Sequence, residues 1–188
     1  MIDATEIRVG NVLRIDGKIC KVITQEVRGT GKSGKTVQLK LKSVEDGRLI
    51  EKSFRSEDRA ENVEVEHARM QYLYKDGGEY VFMHTGTFEQ YSMQAAVIGR
   101  QEVFLKENLE INVFFAEGKP ISIEFPRIAE LEVSNTAPPV KSTDSNYKEA
   151  ELENGLTILV PQFVKQGDRV RVNVDDLSYA ERVTSKSV

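Results

Sequence analysis

The chain has 188 residues, of which 39% are apolar and 30% are charged, and its formal net charge is −4. No segment approaches the roughly 18 apolar residues of a membrane span, and residues 1–6 lack the features of a signal peptide, so we expect no membrane association. A single cysteine, Cys20, and two histidines exclude an internal disulfide and a typical zinc site. We therefore expect a cytoplasmic protein without metal or cofactor, with Cys20 buried as a small apolar residue.

Apolar and polar residues alternate with a period of two along the whole chain, which predicts short β-strands. Asp-Gly turns at residues 16–17 and 46–47 separate strands of the first third. The predicted strands are residues 12–16, 19–27, 36–44, 48–54, 69–75, 79–83, 110–116, 121–125, 128–134, 156–160 and 169–175. Only residues 93–99 and 102–109 have the pattern of short helices.

These strands fall into three groups of about 60 residues, which predicts an all-β protein of three small antiparallel barrels. The expected domains are residues 1–64, 65–126 and 127–188. The polar segment 135–150, which contains two prolines, is predicted to be a long loop inside the third domain. The alternating aromatic residues Tyr72, Tyr74, Tyr80 and Phe82 are expected to pack in the core of the second barrel.

Positive charge is concentrated in the first domain. Residues 1–64 carry 13 Lys and Arg against 11 Asp and Glu, whereas residues 65–126 carry 5 against 9 and residues 127–188 carry 8 against 10. Within 27–44 the basic residues are Arg28, Lys32, Lys35, Lys40 and Lys42, and the segment contains no acid. A concentrated basic element on an acidic protein favours a localised contact with a polyanion.

Residues 29–36 (GTGKSGKT) match the phosphate-binding pattern G-x-x-x-x-G-K-[ST]. A phosphate-binding loop requires a helix directly after Lys35 and Thr36, because the free N–H groups of the helix hold the phosphates. The following residues, VQLKLK, alternate as a strand does. A nucleotide hydrolase that uses Lys35 and Thr36 is therefore the disfavoured interpretation.

The alternative is a long hairpin whose glycine-rich tip, within residues 28–36, projects from the first barrel. Glycines permit the positive φ angles of a tight tip and the close approach of another backbone. Lys32 then lies at the apex. A solvated turn with incidental lysines is the competing structural interpretation of the same residues.

Motifs along almost the entire chain resemble the bacterial elongation factor P family, which is related to archaeal and eukaryotic initiation factor 5A. The tip, residues 30–34 (TGKSG), is similar to the loop in which initiation factor 5A carries its modified lysine. The other motifs, in order, are residues 51–54 (EKSF), 72–77 (YLYKDG), 87–90 (TFEQ), 118–122 (GKPIS), 130–133 (ELEV), 136–138 (TAP), 160–164 (VPQFV) and 167–168 (GD).

The resemblance implies an SH3-like or KOW-type first domain followed by two OB-fold domains, in a monomer that resembles a tRNA in outline. It implies a translation factor that binds both ribosomal subunits and their rRNA beside the peptidyl-tRNA. Such factors stimulate peptide-bond formation at consecutive prolines without being enzymes. A lysine-modifying enzyme is an implied further partner.

Transferred to this chain, the resemblance places Lys32 at the modified position that contacts the tRNA acceptor end. Its neighbours Thr30, Gly31, Ser33 and Gly34 would shape the tip. The loop is one residue longer than that of many relatives and lacks their proline, so Lys35 is the second candidate for modification. The RNA-backbone contacts expected from this assignment are Arg28, Lys35, Lys40 and Lys42, together with Tyr179 and Arg182, which match a C-terminal Tyr-x-x-Arg motif.

Two alternatives remain open at the level of sequence. One is the elongation factor P-like paralogue, in which the tip residue is usually arginine, whereas this chain has Lys32. The other is a generic single-strand nucleic-acid-binding protein built from OB folds, which the acidic second and third domains disfavour. The triplet at residues 142–144 (STD) differs from the family's usual loop, which puts in doubt any messenger-RNA contact there.

Overall fold

The computed structural model describes residues 1–29, 34–140 and 145–184. Within these residues the strands form three antiparallel sheets, which confirms the predicted all-β class with few short helices. The first sheet comprises β1 (Ile2–Asp3), β2 (Val12–Ile15), β3 (Lys18–Arg28), β4 (Thr36–Ser43), β5 (Leu49–Arg55) and β6 (Arg59–Asn62). The second comprises β7 (Glu66–Asp76), β8 (Glu79–His84), β9 (Gln90–Gln94), β10 (Glu110–Ala116) and β11 (Lys119–Glu124). The third comprises β12 (Ile128–Thr136), β13 (Tyr147–Leu152), β14 (Thr157–Pro161), β15 (Arg169–Asn173) and β16 (Ser178–Arg182).

The first sheet has the strand order β1-β6-β2-β3-β4-β5. Its long central strands bury one face, as alternation predicts: Val37, Leu39 and Leu41 on β4 are at most 1% exposed. Cys20 on β3 is fully buried in the same core, which confirms its assignment as a small apolar residue. The hairpin of β3 and β4 is therefore anchored in the buried core of the first sheet.

The second sheet has the order β11-β10-β7-β8-β9 and buries Tyr72, Tyr80 and Phe82. The Tyr72 ring lies 5.7 Å from that of Tyr80 and 5.5 Å from that of Phe82. The predicted burial of Tyr74 was wrong, because its side chain is 48% exposed. The register between β7 and β8 shifts between Tyr72 and Tyr74, so a β-bulge turns Tyr74 away from the core.

The third sheet has the order β14-β13-β12-β15-β16, and its outer strands β14 and β16 lie next to each other. The predicted loop at residues 135–150 was wrong at both ends. Strand β12 continues to Thr136 and β13 begins at Tyr147, while residues 141–144, which include the STD triplet, lie outside the described part. The sequence of β13, YKEAEL, is mostly polar because only Ala150 and Leu152 face the core.

Both predicted helices were partly wrong. Residues 90–94 form β9, so the first helix, α1, covers only Ala95–Ile98. The second is a 3-10 helix at Gly99–Phe104, and Asn108 instead donates its backbone N–H to the carbonyl of Tyr72 at 2.9 Å. Pairing with a neighbouring strand outweighs a weak local helical preference at both places. Another 3-10 helix covers Ala4–Glu6.

The chain divides into two compact units. One contains residues 1–99 with 106–124, and the other contains residues 100–105 with the chain from Phe125 onward. The first unit contains the first and second sheets, and the second unit contains the third sheet. The boundaries predicted after residues 64 and 126 stay a prediction. In the described part of the chain, no helix has the length and apolarity needed to cross a membrane.

Candidate nucleic-acid interface

The basic segment forms a long hairpin, as predicted. Strands β3 and β4 are antiparallel and pair as far as Arg28 opposite Thr36, beyond which the chain turns. A side chain at Gly29 would place its Cβ 2.6 Å from the carbonyl oxygen of Gly34, so only glycine permits this close approach at the neck of the loop. The predicted site residues Thr30, Gly31, Lys32 and Ser33 lie outside the described residues.

The strand that follows the loop decides against nucleotide binding. Thr36 is the first residue of β4 and pairs with Arg28 on one side and Arg55 on the other. A phosphate-binding loop needs the N-terminus of a helix at this point. The match of residues 29–36 to that motif is therefore a coincidence of composition in a hairpin tip.

Three of the predicted basic residues are exposed around the hairpin. Arg28 forms an ion pair with Glu26 at 2.7 Å, and the ammonium nitrogen of Lys40 lies 3.7 Å from the carboxylate of Glu51. Lys35 follows Gly34 at the end of the loop and is exposed. Ion pairs between exposed side chains contribute about 0–1 kcal/mol, so these carboxylates hold Arg28 and Lys40 only weakly.

The outer face of β3, β4 and β5 forms a shallow groove of about 440 Å³. Thr24 and Arg28 line it from β3, Gln38 and Lys40 from β4, and Ser53 from β5. Glu26 and Glu51, the ion-pair partners of Arg28 and Lys40, line the same groove. Hydrogen-bonding groups of the kind that contact a sugar-phosphate backbone therefore lie there beside paired charges.

Lys42 lies in a different environment. It is half-buried, and its ammonium group donates a hydrogen bond of 2.9 Å to the backbone carbonyl of Val97 in α1. Burial lowers the pKa of Lys42, and the charge of Lys21, which pairs with it across β3 and β4, lowers it further. Its assigned contact with RNA stays a prediction, although its ammonium group already has a partner within the protein.

In the third sheet, β16 carries Tyr179 and Arg182. Tyr179 is half-buried against the core, and burial raises the pKa of its hydroxyl while the backbone N–H of Arg182 acts in the opposite direction. The guanidinium of Arg182 lies 5.0 Å from the centre of the Phe163 ring and 3.7 Å from the carboxylate of Asp168. Arg182 is thereby held in one orientation by a cation–π contact and an ion pair.

Two contacts in the structure were not predicted from the sequence. Phe163 and Asp168 lie in motifs that carry the family resemblance, but their contact with Arg182 joins residues more than a dozen positions apart. The bond between Lys42 and Val97 joins strand β4 of the first sheet to the helix α1. The Phe163 ring is 51% exposed, so it lies at the surface beside Arg182 and not in the core.

Within residues 1–29, 34–140 and 145–184, no cluster of three or more His, Cys, Asp or Glu side chains could hold a metal ion.

Three family models match consecutive parts of the chain. Residues 3–60 match "Elongation factor P (EF-P) KOW-like domain", residues 65–123 match "Elongation factor P (EF-P) OB domain", and residues 129–182 match "Elongation factor P, C-terminal". Together with the three sheets, these matches confirm the predicted fold class of a KOW-type domain followed by OB-type domains.

The chain is also similar to whole proteins. It is 36% identical over 185 residues to elongation factor P of Coprothermobacter proteolyticus, covering 97% of this chain and 100% of that protein. It is 38% identical over 183 residues to elongation factor P of Acidithiobacillus ferrooxidans, covering 96% and 98%. The solved structure of eukaryotic translation initiation factor 5A from Methanococcus jannaschii shares the fold, with a TM-score of 0.51 and 18% identity over 65% of this chain and 90% of that one.

Proposed function

The chain belongs to the elongation factor P family, and we propose that it binds the ribosome beside the peptidyl-tRNA and stimulates peptide-bond formation at consecutive prolines. Its role as a translation elongation factor rests on the family. The site of action and the proline specificity are the proposal. The observation that carries it is the long basic hairpin, which presents Arg28, Lys35 and Lys40 around a glycine-bounded loop.

The mechanism is catalysis by positioning. Lys32, modified or unmodified, contacts the acceptor end of the peptidyl-tRNA, and Thr30, Gly31, Ser33 and Gly34 shape the loop that presents it. Holding the two reacting ends in a productive geometry lowers the activation barrier without any chemical group from the factor. The ribosome performs the reaction, and the factor is not itself an enzyme.

The remaining contacts provide affinity. Arg28, Lys35 and Lys40 neutralise phosphates near the tip, and each neutralised phosphate releases counterions. Tyr179 and Arg182 contact RNA from the third domain, with Arg182 oriented by Phe163 and Asp168. The proposed partners are both ribosomal subunits with their rRNA, the peptidyl-tRNA and a lysine-modifying enzyme that acts on Lys32 or Lys35. The proposed protein is a cytoplasmic monomer with domains at residues 1–64, 65–126 and 127–188.

A reconstituted translation reaction tests this function. Protein purified from its native host, which carries any modification, is added to ribosomes that translate a template encoding three consecutive prolines. The rate of tripeptide formation should rise, whereas a template without prolines should respond little. An equal rate with and without the protein on the triproline template would exclude the proposed function.

The role of the tip is tested by replacing Lys32. Because exposed substitutions usually change stability by less than about 0.5 kcal/mol, Lys32→Ala should leave the melting temperature unchanged and abolish the stimulation. Lys32→Arg keeps the charge but prevents lysine-specific modification. Intact mass spectrometry of the native protein shows whether Lys32 or Lys35 carries added mass.

The two substitutions separate charge from modification. Activity of Lys32→Arg near that of the wild type would show that positive charge suffices, and activity near that of Lys32→Ala would show that a modified lysine is required. Full activity of Lys32→Ala at normal stability would refute the assignment of this residue.

A further inference from the structure

The turn between β4 and β5 lies against α1, which follows β9, an edge strand of the second sheet. At Gly47 in this turn, φ is +71°, and a Cβ atom would lie 2.5 Å from the carbonyl oxygen of Ala96. Any residue other than glycine is disfavoured here for two reasons. The backbone is in the left-handed region, and a Cβ atom would collide with the backbone of α1. The main chains of the turn and of α1 therefore lie too close together here to accommodate a Cβ atom at position 47.

A second contact involves the next residue of the same short helix. Lys42, near the end of β4, donates a hydrogen bond of 2.9 Å to the carbonyl of Val97. Positive charge near the last carbonyls of a helix is favourable, so the Lys42 ammonium group stabilises this contact. Lys42 lies just before the turn and Gly47 lies within it, and the two residues are next to Val97 and Ala96 of α1.

Further contacts support the same junction. Val12, Ile19 and Val44 of the first sheet form one apolar cluster with Ala116 and Ile121 of the second. An ion pair joins Glu45 in the turn to Lys119 at 3.8 Å, and Arg14 forms another with Glu117. The base of the hairpin is thus packed against the second sheet by apolar, ionic and hydrogen-bonding contacts together.

We propose that Gly47 and Lys42 are positioning residues, which fix the angle of the hairpin of β3 and β4 relative to the second sheet. This inference rests on the proposed function of the tip. Strand β4 has 8 residues and is roughly 25 Å long, so a rotation of about 10° at its base would move the tip by about 4 Å. A displacement of about 1 Å can reduce the rate of a reaction that depends on positioning by about a hundredfold.

The chain contains a matched control for Gly47. Gly17 also follows an aspartate in a turn of the first sheet and has a φ of +80°, but a Cβ there meets no atom within 4 Å. Gly17→Ala and Gly47→Ala therefore introduce comparable backbone strain, and only Gly47→Ala introduces the collision with Ala96.

The first measurement is the distance between spin labels on cysteines introduced at Gln38 and Ser92, one in each sheet. Both positions are exposed, and Cys20 is fully buried and does not compete for the label. Gly47→Ala should broaden the distance distribution or shift its mean by about 3 Å, and Gly17→Ala should leave it unchanged. In unlabelled protein, triproline synthesis should fall at least about tenfold for Gly47→Ala and stay within about twofold for Gly17→Ala.

Substitutions of Lys42 provide a second test if Gly47→Ala does not fold. Lys42→Met keeps the apolar stem and removes the donor, and it should broaden the distance distribution, which Lys42→Arg should restore. A lost phosphate contact lowers the slope of log affinity against log salt by about one. For ribosome binding, we expect this slope to fall by about one for Lys40→Met and to stay unchanged for Lys42→Met.

The outcomes are distinguishable. An unchanged distance for both Gly47→Ala and Lys42→Met, or an altered distance with full triproline activity, would overturn the positioning role. A slope reduced by about one for Lys42→Met with an unchanged distance would also overturn it, because Lys42 would then contact phosphate. A wild-type protein without triproline activity would overturn the proposed function, and the distances would still decide whether the angle is fixed.

Discussion

Lys21 and Lys42 show how burial changes the pKa of a charged side chain. Lys21 on β3 pairs with Lys42 on β4, and both are half-buried. Burial lowers the pKa of Lys21 from its ordinary value of 10.5. From sequence alone, both lysines were simply polar positions of alternating strands, since alternation does not predict which polar side chains tertiary contacts will cover.

The lowered pKa predicts how stability depends on pH. Between the lowered pKa and 10.5, the unfolded chain binds more protons at Lys21 than the folded protein does, so this residue makes the free energy of unfolding increase with pH. At neutral pH, the cost of burying the charged Lys21 ammonium group lowers the free energy of unfolding by its full amount. We therefore expect Lys21→Met to be more stable than the wild type at pH 7, with the difference decreasing towards pH 10.5.

Denaturant unfolding of both proteins between pH 7 and pH 10 measures this difference. The charge of Lys21 also lowers the pKa of Lys42, so part of the measured difference arises at Lys42 and has the same sign. A difference that stays constant across the range would show that the Lys21 ammonium is not desolvated in the folded state.

The strands of the chain illustrate how far alternation predicts secondary structure. Long strands with one buried face were found close to their predicted limits, as for β4 at Thr36–Ser43. Five strands were not predicted, namely β1, β6, β9, β13 and β16. Each lies at the edge of a sheet or buries few side chains, so its sequence is short or mostly polar. Their pairing partners, and not their own residues, make them strands.

The bulge in β7 gives a test at this scale. Tyr72 is 7% exposed and Tyr74 is 48% exposed, although strict alternation would place both on one face. Tyr72→Ala should lower the free energy of unfolding by about 3–5 kcal/mol, because it removes a ring packed against Tyr80 and Phe82. Tyr74→Ala should lower it by less than about 1 kcal/mol.

Urea unfolding of both variants provides the comparison. Equal destabilisation would mean that Tyr74 packs in the core and that the register of β7 against β8 has no bulge.

Charge is the property that describes the molecule as a whole. The net charge is −4, yet residues 27–44 contain five basic residues and no acid, while the second and third predicted domains are acidic. Such a protein has little general attraction for nucleic acid and one local basic element. This charge distribution favours a protein that binds one defined RNA surface over a protein that binds along single strands without preference.

We therefore expect weak binding to free RNA and tight binding to ribosomes. A fluorescent single-stranded RNA of twelve nucleotides should bind at least about a hundredfold more weakly than ribosomes that carry peptidyl-tRNA, at one fixed salt concentration. Anisotropy measures the first affinity and ribosome pelleting measures the second. Comparable affinities would favour the generic single-strand binder over the proposed function.

The amino-acid sequence alone determined the all-β class, the family, the basic hairpin and the candidate residue Lys32, because alternation, Asp-Gly turns, charge and spaced motifs are local features of the chain. Only the tertiary structure decided which basic side chains of the hairpin are exposed. It leaves Arg28 and Lys40 exposed and directs Lys42 to the carbonyl of Val97, and it requires glycine at position 47. Such contacts join residues about 50 positions apart in the chain, and no local pattern encodes which backbone atoms will meet.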